Sequence, residues 1–192
     1  MYDAGWRPKR TILFASWGSE EYGLIGTQEW VEEHLTKLTA NSVVYINTDL
    51  AVEGNFTFYP KGTPNMRDIV HQVSKLVDNP RIEFDGPEHK TVYDNMMLRG
   101  EKTPDGNLEF PSLGSGSDYA PFLQIVGTSV MDITWAPDPE LTSGYPVYHS
   151  VYETYELVEE FVDPNFHLHQ TVAKIIALSM KLSSTYFVVF IF

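Results

Sequence analysis

The chain has 192 residues, a length that suits one α/β domain, and its 43% hydrophobic and 20% charged residues are typical of a folded protein. Its formal net charge of −13 argues against a nucleic-acid binder, because such proteins carry basic patches that attract the phosphate backbone. The absence of cysteine excludes disulfide bonds, thiolate zinc sites and a cysteine nucleophile.

The first half of the chain is predicted to alternate between strands and helices. Residues 11–17 form a short apolar run typical of a strand buried on both faces, and the turn that follows opens a helix that reaches about Leu38. The next predicted elements are a strand over 42–47, an alternating strand over 55–59 and a helix over 63–77.

The second half begins with an irregular stretch, 78–113, which is rich in proline and glycine and which we interpret as a long excursion forming part of a pocket wall. The predicted elements after it are a helix start over 117–124, a buried strand over 128–135, a loop over 138–148 and a last helix from residue 163. Strands that alternate with helices predict an α/β fold with a mainly parallel, mixed sheet flanked by helices.

We assign residues 1–185 to this domain and residues 186–192 to an apolar C-terminal tail, which is either a final buried strand or a truncated terminus. The tail is far shorter than the roughly 20 residues of a membrane-spanning helix, and we find no transmembrane segment in the chain.

Three predicted strands lead into side chains that bind metals. The first runs into Glu20 and Glu21, the second into Asp49, and the third, through a loop, to His149. Ligands of α/β sheets bind beyond the carboxyl ends of the strands, and zinc accepts carboxylate and imidazole ligands. If the two glutamates begin a helix, their side chains diverge by about 100°, so one can bind metal while the other takes a proton from water.

Each of these residues also has an explanation that needs no metal. Acidic residues in a first helical turn are favoured by the helix dipole, by roughly 0.3–1 kcal/mol. Asp49 alone is compatible with a loop cap, and His149 alone with an ordinary partly buried histidine.

A further signal lies in five segments, 5–17, 20–26, 45–49, 113–119 and 144–156. These segments resemble the glutamate carboxypeptidase II family of co-catalytic zinc peptidases, and the likeness extends over about residues 5–185 and is weakest over 78–110. The resemblance implies a zinc-exopeptidase-like fold and an incomplete domain.

The resemblance implies a role for each metal-site residue. Glu20 would be the general base and proton shuttle, Glu21 and His149 would bind one zinc, and Asp49 would bind the second. The substrate, a small peptide, would contact Tyr148, Ser117 and Gly116.

Three further residues match family positions outside the catalytic set. Glu29 and Glu32, one helical turn apart, match positions that help to hold a structural calcium, although a solvated helix face explains them equally well. Asn55, in the sequon Asn55-Phe56-Thr57, matches a glycosylated position. The family also implies a parent anchored in a membrane with this domain on the extracellular face, and a homodimer formed through a C-terminal domain absent here.

The departures from the family predict an inactive fragment. A two-metal site needs a bridging ligand, and the family's bridging aspartate and one histidine lie upstream of anything that matches this chain. With three ligands of five, we expect weak zinc binding and little or no peptidase activity from these 192 residues alone, whereas the parent would be a metallo-exopeptidase.

Specificity is predicted to differ as well. Tyr59, Asp132 and Thr134 stand where the glutamate-cleaving member has an arginine patch, and Ser117 replaces the neighbouring asparagine. Losing the arginines should remove the preference for an acidic residue on the amino side of the cut, as in dipeptidase or aminopeptidase relatives.

Two other functions remain open at this point. The transferrin-receptor branch resembles the same fold but serves as a binding module that has largely lost the metal ligands kept here at Glu20, Glu21, Asp49 and His149. An α/β domain that acts only as an interaction surface is the second alternative.

Overall fold

A computed structural model describes residues 5–142, 144–186 and 189–191. Within these residues the chain forms one five-stranded sheet with the strand order β1-β5-β2-β4-β3. The strands are β1 (Ile12–Phe14), β2 (Val44–Asn47), β3 (Thr57–Gly62), β4 (Ser129–Ala136) and β5 (Val189–Ile191). All neighbouring pairs are parallel except β3 and β4, which are antiparallel. The predicted mainly parallel, mixed sheet is therefore confirmed.

The described residues also contain seven α-helices. They are α1 (Ile25–Asn41), α2 (Arg67–Ser74), α3 (Ile82–Asp85), α4 (Val92–Arg99), α5 (Tyr119–Pro121), α6 (Tyr155–Leu157) and α7 (His167–Tyr186). Single wider turns extend α5 over Phe122–Val126 and α6 over Val158–Val162. Short 3₁₀ turns precede α1, α2 and α7 at Glu20–Tyr22, Pro64–Met66 and Pro164–Phe166. None of the helices in the described part of the chain has the length and apolar composition that crossing a bilayer demands.

Helices cover both faces of the sheet, because successive side chains of a strand point to opposite faces. On one face, alternate residues of β2 and β4 pack with α2, α4 and α7 in the larger core, where Ile46, Ile133 and Trp135 are completely buried. On the other face, Tyr45 and Val130 pack against α1 and the α5 region in a smaller core. The sheet is the buried middle layer of three.

Three sequence-based predictions need correction. The first strand is not buried on both faces: Phe14 is 69% exposed, because β1 lies at the edge of the described sheet. The stretch 78–113 is not irregular throughout, since it contains α3 and α4. The helix α6 and the wider turn that extends it to Val162 were not predicted from the sequence.

The helix α4 begins with a capping box, which explains why it forms within a stretch rich in proline and glycine. The hydroxyl of Thr91 accepts a hydrogen bond from the backbone N–H of Asp94, and the Asp94 carboxylate accepts one from the Thr91 N–H. These bonds satisfy two backbone donors at the helix start. The Thr-x-x-Asp spacing was the signal available in the sequence.

The predicted C-terminal tail contributes a strand. The helix α7 runs to Tyr186, and residues 189–191 pair in parallel with both β1 and β2. Residues 1–4, 143, 187, 188 and 192 lie outside the described residues. The division between 185 and 186 stays a prediction.

Candidate active site

The two adjacent glutamates lie on a tight turn beyond the end of β1. Glu20 and Glu21 begin the 3₁₀ turn, and the turn ends at Gly23, whose φ of 104° favours glycine. A 3₁₀ helix has three residues per turn, so neighbouring side chains diverge by about 120°. The helix α1 starts only at Ile25, so the expectation that the glutamates themselves begin the long helix is wrong, while their divergence remains.

Acidic groups surround Glu20. Burial of its half-exposed side chain raises the pKa of Glu20 above its ordinary value, and the charges of Asp49, Glu21 and Asp118 act in the same direction. The nearby His149 imidazole lowers it. Asp49 is exposed two residues beyond the end of β2. A concentration of carboxylates of this kind attracts cations.

The imidazole of His149 meets Glu21 across the cleft. Its Nε2 atom lies 2.7 Å from Glu21 Oε2, and both side chains are about half exposed. His149 has a φ of 56°, a left-handed conformation that few non-glycine residues adopt. The Tyr148 ring stacks on the imidazole with 3.7 Å between ring centroids.

One cleft of about 500 Å³ includes every residue predicted from the sequence to act as the general base, to bind zinc or to contact the substrate. These residues are Glu20, Glu21, Asp49, Gly116, Ser117, Tyr148 and His149. They come from the turn after β1, the end of β2, the segment before α5 and the loop after β4. Their individual roles stay predictions.

A buried hydrogen-bond network forms the floor of this cleft. The side-chain amide of Asn47, at the end of β2, donates to Ser117 Oγ over 3.0 Å and to Asp132 Oδ1 over 2.9 Å. Asn47 and Ser117 are almost completely buried. Next to Ser117, Asp118 accepts a short hydrogen bond from the Thr27 hydroxyl of α1. The floor is therefore tied to β2, β4 and α1.

Sequence reasoning missed several residues that line the same cleft. Glu53, Lys61, Tyr145 and Glu153 all face it. The alternation of β3 places Lys61 on the same face as Tyr59, which was the signal available for that residue. Tyr145 and Glu153 lie within a segment that already carried the family likeness, but nothing in the text of the sequence points to Glu53.

The described residues contain no group of three or more histidine or acidic side chains arranged to hold a metal ion. Glu29 and Glu32 are exposed on α1, where Gln28 Nε2 donates to Glu32 Oε1 over 2.9 Å, and the predicted calcium role stays a prediction. Asn55 is exposed, which leaves it accessible to a glycan.

Comparisons with a family model and with known proteins all find similarity to peptidases. The model of peptidase family M28 matches residues 1–163. Aminopeptidase NAALADL1 of Mus musculus is 41% identical over 174 residues, which cover 88% of this chain and 23% of that protein. The probable glutamate carboxypeptidase LAMP1 of Arabidopsis thaliana is 36% identical, over 91% of this chain and 23% of that protein. The glutamate carboxypeptidase 2 homolog of Caenorhabditis elegans is 35% identical, over 90% and 22%. The chain thus spans less than a quarter of the length of these relatives.

Proposed function

The chain belongs to peptidase family M28, and we propose that it is a segment of a zinc-dependent exopeptidase that cleaves small peptides near a terminus. The observation that supports this most strongly is the cleft in which Glu20, Glu21, Asp49 and His149 converge from separate parts of the chain.

The donor chemistry of the cleft suits zinc. Glu21, Asp49 and His149 would hold the ion through carboxylate oxygens and an imidazole nitrogen, the ligands that zinc accepts. The 2.7 Å contact between Glu21 and His149 brings two of these donors together. A bound zinc supplies a Lewis acid for hydrolysis of the peptide bond.

Glu20 acts as the general base in this proposal. Its half-buried carboxylate accepts a proton from the attacking water and then gives it to the leaving amine. Burial and the neighbouring carboxylates raise the pKa of Glu20, which favours its holding the proton between these two transfers. Tyr148, Ser117 and Gly116 line the space for the substrate beside it.

The isolated chain is proposed to be a weak zinc binder with little or no activity. A two-metal site holds its ions about 3.5–4 Å apart and needs a bridging ligand. The three proposed ligands provide none, and no arranged group of three donors is found in residues 5–142, 144–186 and 189–191.

Zinc titration by calorimetry tests the metal site. We expect weak binding by the 192-residue chain, loss of that binding in Glu21→Gln, and no change in Glu33→Gln, a matched control on the exposed face of α1. Equal binding by both variants would overturn the assignment of Glu21.

Peptide hydrolysis tests the predicted inactivity. Aminopeptidase and carboxypeptidase assays with added zinc should show little turnover by the isolated chain. Robust turnover by the 192 residues alone would overturn this part of the proposal. The complete protein should hydrolyse peptides and lose that activity in Glu20→Gln.

The surroundings of the complete protein are also part of the proposal. We propose a glycosylated homodimer, anchored in a membrane with this domain outside the cell. The exposure of Asn55 is compatible with a glycan there. Enzymatic deglycosylation of the protein from its native source, followed by a mass measurement, tests the glycan directly.

A non-catalytic binding module is the second candidate. The lack of an arranged group of three donors in the described residues favours it. Elemental analysis of the complete protein separates the two candidates, because a binding module of this kind would contain no stoichiometric zinc.

A further inference from the structure

We propose that Asp132 and Glu53, together with Lys61, form a subsite that selects a positively charged group on the substrate. This inference rests on the proposed peptidase function, since the subsite is part of the same cleft. It goes beyond the loss of a preference for acidic substrates, because it assigns to Asp132 and Glu53 the recognition of a cationic group.

The register of the sheet places the central residue of this subsite. Asp132 in β4 pairs with Asn47 in the parallel strand β2 and with Lys61 in the antiparallel strand β3. Residues in direct register on neighbouring strands point to the same face of the sheet. A polar amide, a carboxylate and an ammonium group thus form one row across three strands, at the floor of the cleft.

The row is fixed on one side by a hydrogen bond. Asn47 is buried and its Nδ2 donates to Asp132 Oδ1 over 2.9 Å, which orients the carboxylate. Asp132 remains partly accessible to the cleft. The carboxylate is therefore oriented by the fold and open to a ligand, as required of a specificity residue.

Glu53 adds a second carboxylate to the same place. It is half-buried, and it lines the site cleft together with Asp132, Lys61 and Thr134. It also lines an adjoining cleft of about 220 Å³ with Lys61 and Thr134. The two clefts therefore meet at Glu53 and Lys61, so a substrate side chain that passes from one to the other passes these charges.

The charge balance of the subsite is negative. Burial is the largest influence on both carboxyl groups and raises the pKa of Asp132 and that of Glu53, while the nearby positive charge of Lys61 opposes this rise in both. No carboxylate oxygen in the described part of the chain lies within 4.0 Å of the Lys61 ammonium group. Two carboxylates and one lysine leave one negative charge that no contact ion pair with this lysine neutralises.

A cationic group of the substrate is the chemical complement of this arrangement. An ammonium or guanidinium group next to Asp132 and Glu53 would form charge-assisted hydrogen bonds, whereas a carboxylate there would be repelled. The cation has two sources in a peptide: a lysine or arginine side chain on the amino side of the cut, or the free α-amino group.

Substrate competition on the complete protein tests the proposal. The substrates form a matched set with lysine, Nε-acetyl-lysine or glutamate on the amino side of the cut, each with a free and an acetylated α-amino group. We expect kcat/KM for the cationic form to exceed that for its acetylated partner by about ten-fold, as for hydrogen bonds to charged groups. Acetylation of the side chain or of the α-amine identifies the source of the cation.

Two variants and a control connect the preference to the subsite. In Asp132→Asn and, independently, in Glu53→Gln, the ratio of kcat/KM for the cationic and acetylated substrates should fall towards one. Asp68→Asn, which removes an equal charge from an exposed position on α2, should leave the ratio unchanged. Loss of folded protein would lower kcat/KM for both substrates by the same factor, so the ratio reports only the change in specificity.

Each result has one meaning. An active wild-type enzyme whose ratio is near one, or two active variants that both keep the wild-type ratio, would overturn the subsite while the peptidase function stands. A complete protein that cleaves none of the substrates overturns the peptidase function, and the subsite with it.

Discussion

The floor and the rim of the candidate site differ in how much of their apolar surface is buried. The floor lies on β2 and β4, where Tyr45 and Trp135 are completely buried. The rim is the segment 138–162, in which Leu141, Val151 and Tyr152 are 83%, 89% and 71% exposed. Burial of apolar surface stabilises by roughly 25 cal/mol per Å², so the floor receives most of this stabilisation and the rim little.

The hydrogen bonds of the two regions differ in the same sense. Around His149 the backbone bonds close short turns, such as Tyr148 N to Tyr145 O and Ser150 N to Val147 O. The floor instead has bonds between distant segments, such as Asn47 to Ser117. The fold thus fixes the floor of the cleft more firmly than the loop that carries His149.

The largest expected change in the free energy of unfolding comes from comparing a buried aromatic residue of the floor with an exposed one of the rim. Trp135→Ala should lower the free energy of unfolding by about 3–5 kcal/mol, because it empties a completely buried position in the larger core. Tyr152→Ala on the rim should change it by less than about 0.5 kcal/mol. Urea denaturation measures both, and similar losses in the two variants would contradict the division into floor and rim.

The next largest change in stability is expected from the ion pair between Asp85 of α3 and Arg99 of α4. The Asp85 carboxylate is buried and accepts hydrogen bonds from Asn79, Asn95 and Arg99, and Arg99 Nη2 lies 2.7 Å from Asp85 Oδ1. Asp85→Asn should lower the free energy of unfolding by about 2–3 kcal/mol, because Arg99 loses its counter-ion while the amides keep one acceptor. Asp105→Asn, at an exposed loop position, is the matched control and should have a small effect.

The same pair predicts how stability depends on pH. Burial alone would raise the pKa of Asp85, but hydrogen bonds from Asn79, Asn95 and Arg99 outweigh it and hold this pKa below its ordinary value of 3.8. A carboxyl with a lowered pKa in the folded state stabilises the protein above the unfolded pKa and stops doing so as the pH falls through the folded one. The stability difference between wild type and Asp85→Asn should therefore shrink below about pH 4. A difference that stays constant down to about pH 2 would contradict this.

The smallest predicted effect concerns the capping box of α4. Thr91→Ala should cost about 1 kcal/mol, because the N–H of Asp94 loses its acceptor at the helix start. Thr91→Ser keeps the hydroxyl and should retain most of the stability in the same denaturation experiment. A serine variant as unstable as the alanine variant would assign the loss to packing of the threonine methyl group.

The sequence was most informative where periodicity and burial coincide. The runs that became β2 and β4 were predicted almost to their bounds, because strands buried in the middle of a sheet are largely apolar. Helix α4 was missed because its signal, a capping box, is local and lies among residues that usually end helices. Strand β5 could be named only as one alternative, because a seven-residue apolar tail has no periodicity that fixes its partners.

The same limit applies to the site. Residues at strand ends were found because the sheet edge gathers them. The alternation of β3 gives only the face on which Lys61 lies, while its place opposite Asp132 depends on the register between β3 and β4, which a single sequence does not reveal. Glu53 lies in the loop between β2 and β3, for which the sequence offers no such pattern. The contact between His149 and Glu21 joins positions 128 residues apart, and both the strand-end rule and the resemblance of the 144–156 segment pointed to their convergence.

The position of β5 has a consequence for synthesis of the chain. In the described sheet, β1 pairs only with β5, so β1 gains this partner only after the whole stretch between the two strands has been synthesised. Pairing at so large a sequence separation is entropically slow, and during translation the backbone of β1 stays without this partner until β5 has left the ribosome. During that interval an exposed strand edge favours association with other chains, so a holding chaperone should increase the yield of folded protein.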